Sequence, residues 1–174
     1  MEENIRIAFM ATDDWYAGTV RKFLESDINH VCILFKSEEL GGWWAIDVKD
    51  EVKIVPAAKA FERAKKVRFY ECKKSLWPGL NACWDFVGTE YDWKGAINNG
   101  IKLIAWRLLR IRLSGIEHSV NKVFCSEHIA LVIERSRIAN NMELESSELF
   151  PPALEDYILN SIDFKISSNP LEEL

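Results

Sequence analysis

The chain has no Cys-x-x-Cys pair: its four cysteines, Cys32, Cys72, Cys83 and Cys125, suit neither a zinc ribbon nor a small disulfide framework. They are read as free thiols, each a small core hydrophobe or a reactive group according to its surroundings. Glycine and proline are scarce, eight and five among 174 residues, which excludes collagen-like and low-complexity chains. Positive charge is in deficit, 22 Lys and Arg against 27 Asp and Glu, leaving a net charge of −5. That balance argues against general nucleic-acid binding, which needs a positive surface to displace counterions from phosphates. No apolar run approaches the roughly 18 residues of a membrane span. The opening "MEENIRIAF" shows no basic-then-apolar leader, so the expectation is a cytoplasmic protein.

What is present is 48% hydrophobic and 11% aromatic residues, enough for a sizeable core and one α+β domain over 1–174. A strand is expected over 5–11 and a helix over 15–25. "HVCILF" and "WWAIDV", separated by Glu-Glu-Leu-Gly-Gly, read as an antiparallel hairpin, followed by a strand over 52–55. Pro56 opens a helix over 57–64, and 67–72 returns as a strand. Helices are expected over 81–87, closed by Gly88, and over 96–113. The periodicity of Ile129, Val132 and Ile133 predicts a helix from Cys125 to about residue 136. A loop and short helix over 146–156, a strand over 162–166 and a frayed tail over 167–174 complete the expectation. There is no internal repeat.

A cysteine at a helix N-terminus meets unpaired backbone N–H groups and the positive end of the helix dipole. Both favour thiolate and stabilise an oxyanion. The base must come from three histidines: His30, His118 and His128. His30 enters a strand, where a sheet holds an imidazole still, and Asp47 lies on the next strand, able to orient the ring. From composition alone, Cys125 reads more readily as one more buried thiol than as a nucleophile.

Four motifs in order, "NHVCILF", "AIDV", "GTEYDWKG" and "FCSEHIALVI", resemble the circularly permuted papain-like hydrolases related to NlpC-type endopeptidases, notably the YiiX/YaeF-like group. The resemblance spans roughly residues 5–157. It implies an NlpC-type fold in which a small, mostly antiparallel sheet packs on the cysteine helix. Cys125 would be the nucleophile, His30 the base, Asp47 the third polar residue and Tyr91 a tyrosine lining the site. Ser126, Glu127, His128 and Cys32 are placed about the substrate cleft, with Glu127 holding the local loop. Cys32 and Asn29 depart from the family pattern and are expected to reshape the cleft floor. No metal or other cofactor is implied.

The implied activity is amide or isopeptide hydrolysis through a thioester acyl-enzyme, on peptidoglycan-type or N-acyl substrates, with delivery to cell wall or virion if the source is a phage. "CSEH" also resembles "NCEHF" of the lecithin:retinol acyltransferase-like branch, whose members transfer acyl groups between lipids. A binding or assembly module on the same scaffold is the non-enzymatic alternative. The stretch 101–113, with Ile101, Ile104, Leu108 and Ile111 among Lys102, Arg107, Arg110 and Arg112, is read as an amphipathic helix packed on the core, with membrane-surface contact as its other reading.

Overall fold

The computed structural model describes residues 4–13, 21–22, 24–105, 109–111, 122–138 and 150–172. Six strands form one antiparallel sheet: β1 (Ile5–Thr12), β2 (His30–Ser37), β3 (Gly42–Val48), β4 (Val52–Pro56), β5 (Ala64–Cys72) and β6 (Phe164–Ser167), in the order β4-β3-β2-β1-β5-β6. Five α-helices are described with it: α1 (Ala57–Ala60), α2 (Trp77–Ala82), α3 (Trp93–Ile104), α4 (Cys125–Arg135) and α5 (Pro151–Asn160). The fold is mixed α+β. Among the described residues no helix is long and apolar enough to cross a membrane.

β1 reads as a nearly unbroken apolar run because both sides of it are covered. Successive side chains alternate across a strand, so Ile5, Ile7 and Phe9 fall into one core and Ala8 and Met10 into another. The first core also takes Val31, Ile33 and Phe35 of β2 and Ile129, Val132 and Ile133 of α4. The second takes Cys32, Leu34, Ala45 and the α1 alanines. Ile133 is fully buried, and truncating it to alanine costs about 2–5 kcal/mol by transfer and cavity terms. The β2–β3 turn ends on Gly41 (φ 68°) and Gly42 (φ 104°), left-handed positions where a side chain would strain the backbone.

Several elements depart from their sequence expectations. The helix expected over 57–64 is a single turn, Ala57–Ala60, because Ala64 is drawn into β5 opposite Thr12. The helix expected over 81–87 begins earlier, at Trp77 with Pro78 in its first turn, and ends at Ala82. A 3₁₀ turn, Trp84–Phe86, follows it. The helix expected over 96–113 starts at Trp93, where Asp92 caps it by accepting from the Gly95 N–H at 2.9 Å. It is described to Ile104, and further on Arg110 has φ 55° and the Ile111 N–H donates to the Ala105 carbonyl at 3.4 Å. Residues 106–108, 112 and 113 lie outside the described residues, as do His118 and most of the helix expected over 15–25, of which Arg21, Lys22 and Leu24 are helical. The tail expected to fray instead forms a 3₁₀ turn, Pro170–Glu172, with Pro170 buried and Leu171 packed on the second core.

α4 is held against α2 by a close approach. The Gly79 N–H donates to Ser136 Oγ at 3.0 Å, and that hydroxyl donates to the Leu76 carbonyl at 3.2 Å. A Cβ on Gly79 would collide with the Val132 carbonyl. α5 is anchored to β5 by Glu155, which accepts from Tyr70 Oη at 2.7 Å and pairs with Arg68 at 2.9 Å. These contacts position the start of α4 and the start of α5, Phe150-Pro151, on one cleft.

Candidate active site

Phe124 precedes α4 in extended backbone (φ −104°, ψ 170°), and Cys125 is its first residue. Phenylalanine offers no acceptor to the helix N–H groups. The reciprocal half of a capping box is present: Glu127 reaches back and accepts from the Phe124 N–H at 3.3 Å. At the first helical position the Cys125 N–H has no carbonyl partner within the helix. The segment ahead is pinned by a parallel bridge between Tyr91 and Val123, and the Asp92 N–H donates to the Val123 carbonyl at 3.1 Å.

His30 is the first residue of β2, and its Nε2 lies 2.6 Å from Asp47 Oδ1 on β3. Cys125 lies beside the ring and lines the same cleft, and Nδ1 is the nitrogen that the Asp47 bond leaves for it. Burial disfavours the imidazolium, but the Asp47 charge and hydrogen bond, with Cys125 adding to them, reverse this and raise the His30 pKa to about 10. Burial likewise opposes the Asp47 carboxylate. His30 and Lys49, whose Nζ is 3.1 Å from Oδ2, outweigh it and hold the carboxyl below its usual range. A thiolate at Cys125 would therefore face an imidazolium, the arrangement that activates a cysteine nucleophile.

Cys125 and His30 open onto a cleft of about 270 Å³. Tyr91 and Asn29 line it, as does Thr12, whose Oγ1 accepts from Asn29 Nδ2 at 2.7 Å. The remaining wall is apolar, with Leu24, Val48, Phe124 and Phe150 among its residues, and one side is the α3 face carrying Trp93 and Ile97. Sequence reasoning missed this α3 wall. Its signal was the spacing of Trp93, Ala96, Ile97 and Gly100, which one helix face shares.

Four residues expected about the cleft are placed elsewhere. Cys32 is fully buried in the second core beside Ala8, Leu34 and Ala45, and burial pushes its thiol well up, so it stays protonated. Ser126 is fully buried and does not line the cleft. Glu127 is buried under the cap. Burial raises its pKa to about 7, against the Phe124 N–H bond and with the Asp92 charge adding to the rise. His128 is fully buried edge-on to Phe86, ring centroids 6.4 Å apart, with neither ring nitrogen hydrogen-bonded among the described residues. Burial, and after it Arg135, lowers its pKa to about 4. Successive helical residues turn by 100°, which carries Ser126 and Glu127 away from the face Cys125 presents, while His128 returns toward that face a turn further along the helix, within the core.

Among the described residues no group of three or more His, Cys, Asp and Glu is placed to hold a metal ion. No protein-family model matches the sequence, and no curated protein matches it. Among solved structures, the chain resembles the metalloprotein YiiX from Escherichia coli O157:H7, of the domain family DUF1105. The TM-score is 0.58 and the identity 13%, over 96% of this chain and 97% of that one. The likeness is one of fold.

Proposed function

We propose that the protein is a cysteine-dependent hydrolase that cleaves a carboxylic amide or ester through an acyl-enzyme, on a permuted papain-like scaffold. One observation carries this reading: His30, bonded to Asp47 at 2.6 Å, stands beside Cys125 at the start of α4, and both open onto one cleft. The YiiX-like fold and the ordered sequence motifs support it. The Cys125 thiolate attacks the carbonyl carbon, and the oxyanion is met by the Cys125 N–H at the start of α4. The leaving amine or alcohol takes the proton held by His30, and a thioester remains. Water then adds to the thioester as His30 removes its proton, and the acid departs as the thiolate reforms. Asp47 keeps the ring oriented and stabilises its charge.

YiiX is described as a metalloprotein. Here no group of three or more His, Cys, Asp and Glu among the described residues is placed to hold a metal ion, and no step of this reading runs through one.

The test is mass spectrometry of the intact protein after incubation with p-nitrophenyl esters. The reading expects one acyl adduct on Cys125, released on standing, absent in Cys125→Ala and slowed in His30→Ala. Adducts spread over surface lysines, or unchanged in Cys125→Ala, would overturn it.

A further inference from the structure

The stretch "IDVK" holds a residue that the mechanism above does not use, a lysine two positions after the carboxylate. Alternate residues of a strand share a face, so Ala45, Asp47 and Lys49 follow one another along one side of β3 and just past its end. The register of the hairpin pairs Ile33 with Ile46 and Leu34 with Ala45. Carried on toward the strand ends, it sets Cys32 across from Asp47 and His30 across from Lys49. His30, Asp47 and Lys49 are therefore neighbours on one face. The carboxylate lies between the two nitrogens, with Oδ1 2.6 Å from His30 Nε2 and Oδ2 3.1 Å from Lys49 Nζ.

The terminal torsion of an aspartate is soft, so a carboxylate held through one oxygen can swing away from its partner. Held through both oxygens, it cannot. Lys49 supplies the second hold from outside the substrate cleft. With Asp47 it lines a second cleft, of about 280 Å³, whose walls also include Lys53 and Val55 of β4 and Lys59 and Arg63. Lys49 does not line the space in front of Cys125, and its side chain is 30% exposed. Val48, between the two, faces the other way and lines the substrate cleft. The Asp50 carbonyl that follows accepts from the Tyr91 N–H at 2.9 Å. Four consecutive residues thus tie the charged second cleft to the orienting carboxylate, the cleft wall and Tyr91.

We propose that Lys49 is a positioning residue, an inference that rests on the hydrolase reading above: it holds Asp47 by its second oxygen, so that the first stays on His30. Its charge has a further effect. At the thioester stage Cys125 carries no charge, and His30 must be neutral to take a proton from the attacking water. A cation beside the Asp47 carboxylate favours the neutral imidazole over the imidazolium, so the base is available at lower pH than it would be without Lys49. Lys49 itself touches no substrate and neither gives nor takes a proton.

The experiment acetylates Cys125 with p-nitrophenyl acetate and follows release of the acetyl group by intact-protein mass spectrometry from pH 5 to pH 10, in wild type, Lys49→Met and Lys49→Arg. In Lys49→Met the release slows about tenfold, part of the roughly 10²–10⁴-fold that an aligned base supplies. The low-pH limb of its profile also moves up by about one pH unit, the size expected for loss of one partly exposed charge beside the pair. Lys49→Arg, which keeps the charge and the donors, restores the limb. Unchanged release in Lys49→Met overturns the inference. Slower release with an unmoved limb, the same in both variants, marks a merely structural contact and also overturns it; in either case the hydrolase reading stands. If wild type forms no acetyl adduct on Cys125, the hydrolase reading fails, and NMR titration of the His30 Cε1–H decides the role of Lys49 by itself. A midpoint that rises in Lys49→Met and returns in Lys49→Arg upholds the positioning role, and equal midpoints in all three proteins overturn it.

Discussion

His30 Nε2 and Asp47 Oδ1 meet at 2.6 Å between neighbouring strands, with both side chains more than nine-tenths closed to solvent. A buried carboxylate–imidazole bond of this kind fixes which ring nitrogen is free to serve a third group, and under the proposed function that group is Cys125, which lines the cleft with His30.

The first consequence is a cysteine whose reactivity depends on His30. With the other three cysteines replaced, alkylation of Cys125 by iodoacetamide at pH 7 should be at least about tenfold slower in His30→Ala than in the protein that keeps His30. Identical rates for the two proteins would show that the pair does not act.

Asp47→Asn should keep the ring in place while removing the charge that raises the His30 pKa. Hydrolysis is expected to fall roughly 10²–10⁴-fold, the range for loss of an orienting carboxylate or a general base. The pair also has a stability signature. Because the folded His30 pKa lies above 6.5, the folded state holds a proton that the unfolded chain releases, so stability is full below about pH 6.5 and declines as pH rises toward 10. Urea titrations at pH 6 and pH 9 should show that decline in wild type and lose most of it in Asp47→Asn.

His128 has the opposite sign. Its folded pKa of about 4 lies below 6.5, so the unfolded chain binds the extra proton and stability falls as pH drops from 6.5 to 4. His128→Leu should remove this acid-side loss, on the order of 2–3 kcal/mol. It should also stabilise the protein at pH 7 by about 1 kcal/mol, since two unpartnered ring nitrogens leave the core. Denaturant midpoints across pH 4–7 for the two proteins check both statements.

Gly79→Ala tests the contact that places α4. The added methyl would collide with the Val132 carbonyl and the Ser136 hydroxyl, so the two helices must separate. A loss of about 1–3 kcal/mol is expected, with a drop in Cys125 alkylation rate at pH 7 as the cysteine shifts from His30. Unchanged thermal unfolding would show that the helices yield without strain.

Much of the sheet was legible because alternation and turn chemistry are local. "HVCILF" and "WWAIDV" show two buried strands, and the Gly41-Gly42 turn between them makes the hairpin that brings Asp47 to His30. The start of α4 was legible for the same reason, from its 3.6-residue spacing. Ala57 to Ala64 misled because its alanines favour helix, while pairing with β1 claims Ala64 for a strand. The cleft itself was not legible. Leu24, Trp93 and Phe150 come from separate elements, and nothing in the pattern of any one element states which of the others it will face. Ser126 and Glu127 misled through adjacency to Cys125, which a helix converts into divergence, and His128, on the same side of the helix, misled because that side enters the core a turn beyond Cys125.

The chain order of the site bears on how the protein matures. His30 and Asp47 belong to one hairpin, whereas Cys125 is brought to them by α4, which packs on the sheet from far along the chain. Contacts between distant parts of a chain form slowly, because loop closure must precede them. In a refolding molecule the hairpin is therefore expected to form before Cys125 reaches His30, and any dependence of the thiol on that histidine to arise late.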